Sequence, residues 1–297
     1  VNMDVGPGYR QHCLHKSSKT FVCYLHTKDS SLFLKYIKNC SKSKICRGIF
    51  MKIAVIGAGA MGSLYGGRLA KAGNEVVLYD INKKHVDAVN KKGLSIEDIT
   101  TGETMLTRPK ASSDPAAVAG SDVIIIFVKS TATEAVADQF GDTIGSDTIV
   151  MTLQNGVGNE AILRRYFGET HTAAGVTSEG ATFLGPGSIR HAGKGPTHLC
   201  MSDKNNKRLA PLVRELTNAG FEADVEENIE NLIWSKLIIN IGINALTALT
   251  GLQNGKLLDY PETKTLIKEL VEEAVQVVAA KGFQLTYENP VEMVYTV

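Results

Sequence analysis

The sequence is short of the features that mark several large function classes. Charge of one sign is missing: 32 Lys and Arg stand against 31 Asp and Glu, a net of +1 over 297 residues. No basic excess calls for a nucleic-acid partner. Long apolar runs are missing too. The richest, 123–128 and 237–249, fall short of the roughly 20 residues a bilayer span needs, and the second carries two Asn, so no membrane association is expected. No sustained apolar stretch follows the N-terminus, which argues against a secretory signal. Cysteine is scarce outside the first 50 residues. Four of the five (Cys13, Cys23, Cys40, Cys46) lie there, at spacings that match no zinc pattern well, and Cys200 stands alone in the main body. That excludes a disulfide framework and points to a reducing compartment, taken here as the cytoplasm. His171, His191 and His198 share no metal-ligand spacing, and no metal is expected.

What remains is an ordinary globular composition, 43% hydrophobic, with length enough for about two domains. The first 50 residues differ from the rest. They hold nine Lys and Arg against Asp4 and Asp29, so the other 247 residues carry a net of −6. Three readings of this segment stay open: sequence upstream of the true start, since Met51 follows directly; an acid-poor targeting segment; or a basic or metal-binding extension. Residues 1–50 are assigned as a leader or extension outside the fold.

The most informative stretch begins at Met51. A short apolar run, 53–56, feeds Gly57-Ala58-Gly59-Ala60-Met61-Gly62, which reads as a strand entering G-x-G-x-x-G and then an amphipathic helix. Gly57 permits the tight turn, Gly59 lets backbone approach a pyrophosphate, and Gly62 lets helix and sheet pack closely. The helix N-terminus offers free N–H groups to phosphate. Asp80 ends the next predicted strand, 18 residues past Gly62, where a carboxylate bonds both ribose hydroxyls. Further on, 83–91 predicts a helix, 94–106 a strand pair, and 114–119 a short helix. A buried parallel strand is predicted over 122–129, ending in Lys129, then a helix over 131–140. A strand over 148–153 terminates in Gln154-Asn155-Gly156. Residues 171–201 read as two or three antiparallel strands, 207–219 as a helix and 222–225 as a strand. Beyond Asn228 only helical period is visible: 228–249, then 261–281 with Pro at its start and Gly282 past its end. The fold class is α/β, a Rossmann-type doubly wound sheet (51–226) followed by an all-α C-terminal domain (227–297).

Lys236, Asn240 and Asn244 recur every four residues of an otherwise apolar helix, so they share one face. An ammonium and two carboxamides there need partners, which a water-filled cleft or a polar substrate would supply; a solvated face, or amides capping a neighbouring loop, is the other reading. A lysine so placed suits general-acid work on a carbonyl oxygen. Lys129 reads equally as a solvated strand end, and Asn155-Gly156 as a plain turn.

Taken together, G-x-G-x-x-G, Lys129, Asn155-Gly156-x-Gly158 and Trp234-x-Lys236-x-x-x-Asn240-x-x-x-Asn244, followed by 246–249, resemble the ketopantoate reductase (2-dehydropantoate 2-reductase) family, from Met51 to the end. The resemblance implies NADPH-dependent reduction of 2-dehydropantoate to (R)-pantoate, on the route to pantothenate and coenzyme A. It implies that 57–62 bind pyrophosphate and that Lys129, Asn155 and Ala181 contact the cofactor. Asn155 also touches substrate, Lys236 donates the proton, Asn240 and Asn244 hold the substrate's hydroxyl and carboxylate, and Asn254 is a further substrate contact. Glu273 matches a helix glutamate more loosely. The partner implied is a small 2-keto acid, with a homodimer through the helical domain.

Two departures accompany this. Typical members carry a basic residue where this chain has Asp80, which favours NADH, although Lys83 and Lys84 follow closely. An NAD-dependent D-2-hydroxyacid (mandelate-type) dehydrogenase therefore stays open. The family also usually continues about sixty residues further. The helical domain is accordingly expected to be incomplete, and a truncated, non-catalytic dinucleotide-binding protein is the remaining alternative.

Overall fold

The computed structural model describes residues 50–297. The expectations for 1–49 lie outside the described residues. The described residues begin with β1 (Lys52–Ile56), α1 (Ala60–Lys71), β2 (Glu75–Tyr79) and α2 (Lys83–Lys92), then β3 (Leu94–Asp98), β4 (Thr104–Thr107) and β5 (Lys110–Ser112). Next come β6 (Val123–Ile126), α3 (Thr133–Phe140), β7 (Ile149–Thr152), α4 (Asn159–Phe167) and β8 (Thr172–Thr177). They are followed by β9 (Gly180–Gly185), β10 (Ser188–Gly193), β11 (Thr197–Met201), α5 (Ala210–Asn218) and β12 (Ala223–Val225). The helices α6 (Ile229–Thr250), α7 (Pro261–Ala280) and α8 (Pro290–Thr296) complete it.

The main sheet has the order β12-β11-β8-β7-β6-β1-β2-β5. The six strands from β5 to β8 run parallel, while β11 and β12 run the other way. The chain leaves β1 on one side to form β2 and later crosses to the other side for β6. That reversal opens a crevice at the carboxyl ends of β1 and β6, where open α/β sheets bind ligands. The apolar runs of β1, β6 and β7 are buried on both faces, as parallel strands between helix layers must be. Ile53, Val55, Ile125 and Met151 enter one core with α1 and α5. Ala54, Ile56, Ile124, Ile126 and Val150 enter the other, against Val136, Phe140, Leu163 and Phe167 of α3 and α4.

A second sheet, β4-β3-β10-β9, was not expected. The region read as two or three antiparallel strands holds four. β8 and β11 join the main sheet, while β9 and β10 leave it, β10 pairing in parallel with β3. Helix α1 lies between the two sheets. A Cβ at Gly66 would strike Leu78 of the main sheet, and one at Gly67 would sit 2.7 Å from Ile96 and 2.8 Å from Leu94 of the second. Helix α4 was also missed; it starts at Gly158 in the left-handed region, with no side-chain cap.

Two expectations need correction. The strand predicted to end in Lys129 stops at Ile126, and Lys129 instead precedes a 3₁₀ turn at 130–132. The run 237–249 was judged too short for a membrane, but it lies in a 22-residue helix holding an 18-residue window of mean hydropathy 1.5, long and apolar enough on those measures. Part of its apolar surface packs within the fold. Ile229 joins Ala174 of β8 and Cys200 of β11 on the main sheet. Ile238, Ile243 and Leu246 pack with Ile267, Val271 and Val294 of α7 and α8.

Candidate active site

The turn from β1 into α1 is built as a cradle. Gly57 has φ +92° and its N–H donates to the Tyr79 carbonyl at 2.9 Å. A Cβ there would lie 2.7 Å from the Val128 backbone nitrogen. At Gly62 a Cβ would overlap the Gly57 carbonyl oxygen, so helix and turn meet in backbone-to-backbone contact. Gly59 differs: it is exposed, and nothing lies within 4 Å of its Cβ position. Open space stands over the glycine expected from the sequence to admit a phosphate, beside the unbonded first-turn amides of α1. The residues present therefore fit a dinucleotide's pyrophosphate. Ala58 is buried beneath the turn, and Ala60 and Met61 are half-buried at the helix start.

Asp80 stands at the exit of β2. Its Oδ1 accepts the Asn82 N–H at 2.8 Å, which orients the carboxylate. Beside it Ile81 is exposed, 83% accessible. His85 was not singled out from the sequence. Its Nδ1 accepts the Gly187 N–H at 3.1 Å, and its Nε2 lies 3.2 Å from Ser63 Oγ, which donates to the Ala58 carbonyl at 2.8 Å. Burial pushes the His85 pKa down, with the Asp80 charge opposing, so the imidazole is held neutral. The chain ties the cradle to α2 and to the second sheet.

Lys129 and Asn155 are both exposed, on the loops leaving β6 and β7. Gln154 fixes their spacing. Its Nε2 donates to the Val128 carbonyl at 2.7 Å and to Thr133 Oγ1 at 2.9 Å, and its Oε1 accepts from Thr152 Oγ1 at 2.9 Å. Thr133 donates on to Asn159 Oδ1 at 3.0 Å, and Asn159 donates to the Asn155 carbonyl at 3.2 Å. The side chain of Asn155 itself has no partner among the described residues.

Across from this loop comes Lys236 of α6. One pocket is lined by Gln154, Asn155 and Gly156 on one side, Gly175 and Thr177 of β8 below, and Ile233, Lys236 and Leu237 on the other. The Lys236 ammonium donates to the Thr177 carbonyl. Burial is the cause that draws its pKa below the ordinary 10.5. Asn240 is half-buried one turn further, ~6 Å along the helix, and Asn244 is exposed a turn beyond that. Among the described residues neither carboxamide has a protein hydrogen-bond partner. The structure thus brings Asn155 and Lys236 to one pocket and sets Asn240 and Asn244 beyond it on the same helix face.

The remaining assignments fall outside that pocket. Ala181 is half-buried on β9 and packs against the core that contains α1. Asn254 is exposed on a 3₁₀ turn after α6. Glu273 lines a separate, largely apolar groove between α6 and α7, with Trp234, Leu237, Ile241 and Val277. Among the described residues no group of three His, Cys, Asp or Glu is arranged for a metal.

Comparison with known proteins decides the family. The sequence pattern of "Ketopantoate reductase PanE/ApbA" matches residues 53–204, and that of its C-terminal part matches 228–297. The chain belongs to the ketopantoate reductase family. A 2-dehydropantoate 2-reductase of Halobacterium salinarum is 35% identical over 82% of this chain and 79% of its own. A crystal structure of a ketopantoate reductase from Ralstonia eutropha superposes with a TM-score of 0.74 at 34% identity, over 83% of this chain and 79% of that one. D-mandelate dehydrogenase, in a ternary structure with NADH and anilino(oxo)acetate, superposes at 0.76 with 27% identity and the same coverage. Within this family fold the loop that Gln154 anchors meets the Lys236 helix at one pocket, and the glycine cradle packs against Val128, whose carbonyl Gln154 also holds.

Proposed function

We propose that this chain is a 2-dehydropantoate 2-reductase that prefers NADH, with Lys236 as proton donor. The observation that carries the reading is the pocket shared by Lys236 and Asn155 at the carboxyl ends of the sheet strands. A bound reduced nicotinamide supplies hydride there. Gly57, Gly59 and Gly62 shape the cradle for its pyrophosphate, and Ala58, Ala60, Met61, Lys129 and Ala181 contribute to the same site. Asn155 orients the keto acid so that its C2 carbon receives hydride in near-attack geometry. Lys236 donates a proton to the C2 oxygen, so hydride and proton together complete the alcohol. Its ammonium also stabilises negative charge developing on that oxygen. Asn240 and Asn244 hold the substrate's hydroxyl and carboxylate, and Asn254, outside the pocket, is a further substrate contact.

Asp80 supports NADH. With one carboxylate oxygen committed to Asn82, the other is available to ribose hydroxyls and would repel a 2′-phosphate. The same feature favours a second reading, a D-2-hydroxyacid dehydrogenase with larger substituents on the keto acid. The deciding experiment is a panel of 2-dehydropantoate, phenylglyoxylate and branched 2-keto acids, each with NADH and with NADPH. The first reading expects the highest kcat/KM for 2-dehydropantoate with NADH; a phenylglyoxylate optimum selects the second. Cofactor binding with no oxidation by any keto acid contradicts both. The apolar groove between α6 and α7 supports a homodimer through the helical domain, which sedimentation of the purified protein tests.

A further inference from the structure

Tyr65 lies on α1, fully buried, its ring stacked on Phe221 at 4.3 Å and tilted against Phe127 at 5.1 Å. A phenylalanine would fill that slot and spare the cost of taking a hydroxyl out of water. The hydroxyl is nevertheless there and has two partners. It lies 2.7 Å from Thr177 Oγ1 and 2.7 Å from Thr197 Oγ1, and the two threonine oxygens are 3.0 Å apart. Thr177 and Thr197 face each other in register across β8 and β11. Three hydroxyls therefore close a ring at the end of β8. The Glu179 N–H adds a fourth bond, to Thr177 Oγ1 at 3.1 Å. Burial pushes the Tyr65 pKa up to about 12, so the phenol keeps its proton throughout the working range.

The carbonyl of this same Thr177 receives the Lys236 ammonium. Helix α1, which carries Tyr65, begins at the glycine cradle. We propose that Tyr65 is a positioning residue for the reduction: through the Thr177–Thr197 hydroxyl ring it fixes the carbonyl that holds Lys236, and so sets the lysine relative to the cofactor cradle. The inference rests on Lys236 as the proton donor. Tyr65 touches neither substrate nor nicotinamide; its effect passes through Thr177. An unbraced carbonyl lets the ammonium wander, and a displacement on the order of 1 Å costs up to roughly 10²-fold in rate.

The test compares Tyr65→Phe, Thr197→Val and Thr197→Ser in the full chain, each with and without Lys236→Ala. Kd for NADH is read by fluorescence titration, and kcat and KM with 2-dehydropantoate. Tyr65→Phe and Thr197→Val are expected to lower kcat roughly 10- to 100-fold with Kd for NADH and KM kept within about twofold. Thr197→Ser, which retains the hydroxyl, is expected to keep wild-type kcat. In the Lys236→Ala background the Tyr65→Phe loss should vanish, because the group it positions is gone. Unchanged kcat in Tyr65→Phe, or the same loss in both backgrounds, overturns the inference. Wild-type turnover by Lys236→Ala overturns the proton-donor reading beneath it, a distinct result. If Tyr65→Phe fails to bind NADH, the Thr197 pair decides: equal activity of Val and Ser contradicts the ring.

Discussion

Gly59 and Gly62 stand three residues apart, one capping α1 and one in its first turn, and serve different ends. Gly59 has φ −64° and open space at its Cβ position. Gly59→Ala should leave the melting temperature of the free protein unchanged and weaken NADH binding at least about tenfold, as a methyl group enters the phosphate's space. Gly62→Ala must push the Gly57 carbonyl aside, and should cost about 1–3 kcal/mol of stability as well as cofactor affinity. Thermal melts with and without NADH separate the two; equal melting losses would refute the division. Asp80→Ser removes the charge that disfavours a 2′-phosphate. The kcat/KM ratio of NADH over NADPH should fall by about tenfold, a loss of about 1.4 kcal/mol of discrimination. At this scale the sequence was legible where a residue's role depends on near neighbours, as in the glycine fingerprint. His85 and Gln154 were not legible, because their partners lie far along the chain, at Gly187 for His85 and at Val128 and Thr133 for Gln154.

Elements with a long, clear period were read within a residue or two: α2, α6 and α7 lie close to their expected bounds. Short elements with distant partners were not. Strand β10 pairs with β3, some ninety residues earlier, and no local pattern announces which sheet a six-residue strand joins. Helix α4 has nine residues behind a glycine-rich turn, too short for its period to stand out. The join of α1, α2 and the second sheet depends on neutral His85. Its folded-state pKa lies below the ordinary 6.5, so between those two values the unfolded chain binds the extra proton. Stability should therefore fall as pH drops below about 6.5 and be recovered above it. Denaturant midpoints across pH 5–8 check this. His85→Gln should flatten that dependence, and an unflattened curve would assign it to other groups. Gln154→Ala unlinks the β6 and β7 loops, leaving the Val128 carbonyl without its amide partner. It should cost about 1–3 kcal/mol in stability and raise KM along with lowering kcat, since Lys129 and Asn155 shift together.

For the whole molecule, a dinucleotide-binding sheet supplies one wall of the cleft and a single apolar helix supplies the other. The polar face of that helix was visible in the sequence because carboxamides and an ammonium are costly on a greasy rod. Which strand it faces was not visible, since that depends on α6 lying over β8. Because burial lowers the Lys236 pKa, the kcat for keto-acid reduction should decline at high pH with an apparent pKa below 10.5. The reverse oxidation, which needs the free amine, should rise over the same interval. Profiles insensitive to pH in that range would place the proton elsewhere. The most direct measurement is single-turnover reduction of 2-dehydropantoate by Lys236→Ala, alongside its Kd for NADH. The account predicts a rate lowered roughly 10²–10⁴-fold with cofactor affinity intact; a near-wild-type rate at intact affinity would contradict it.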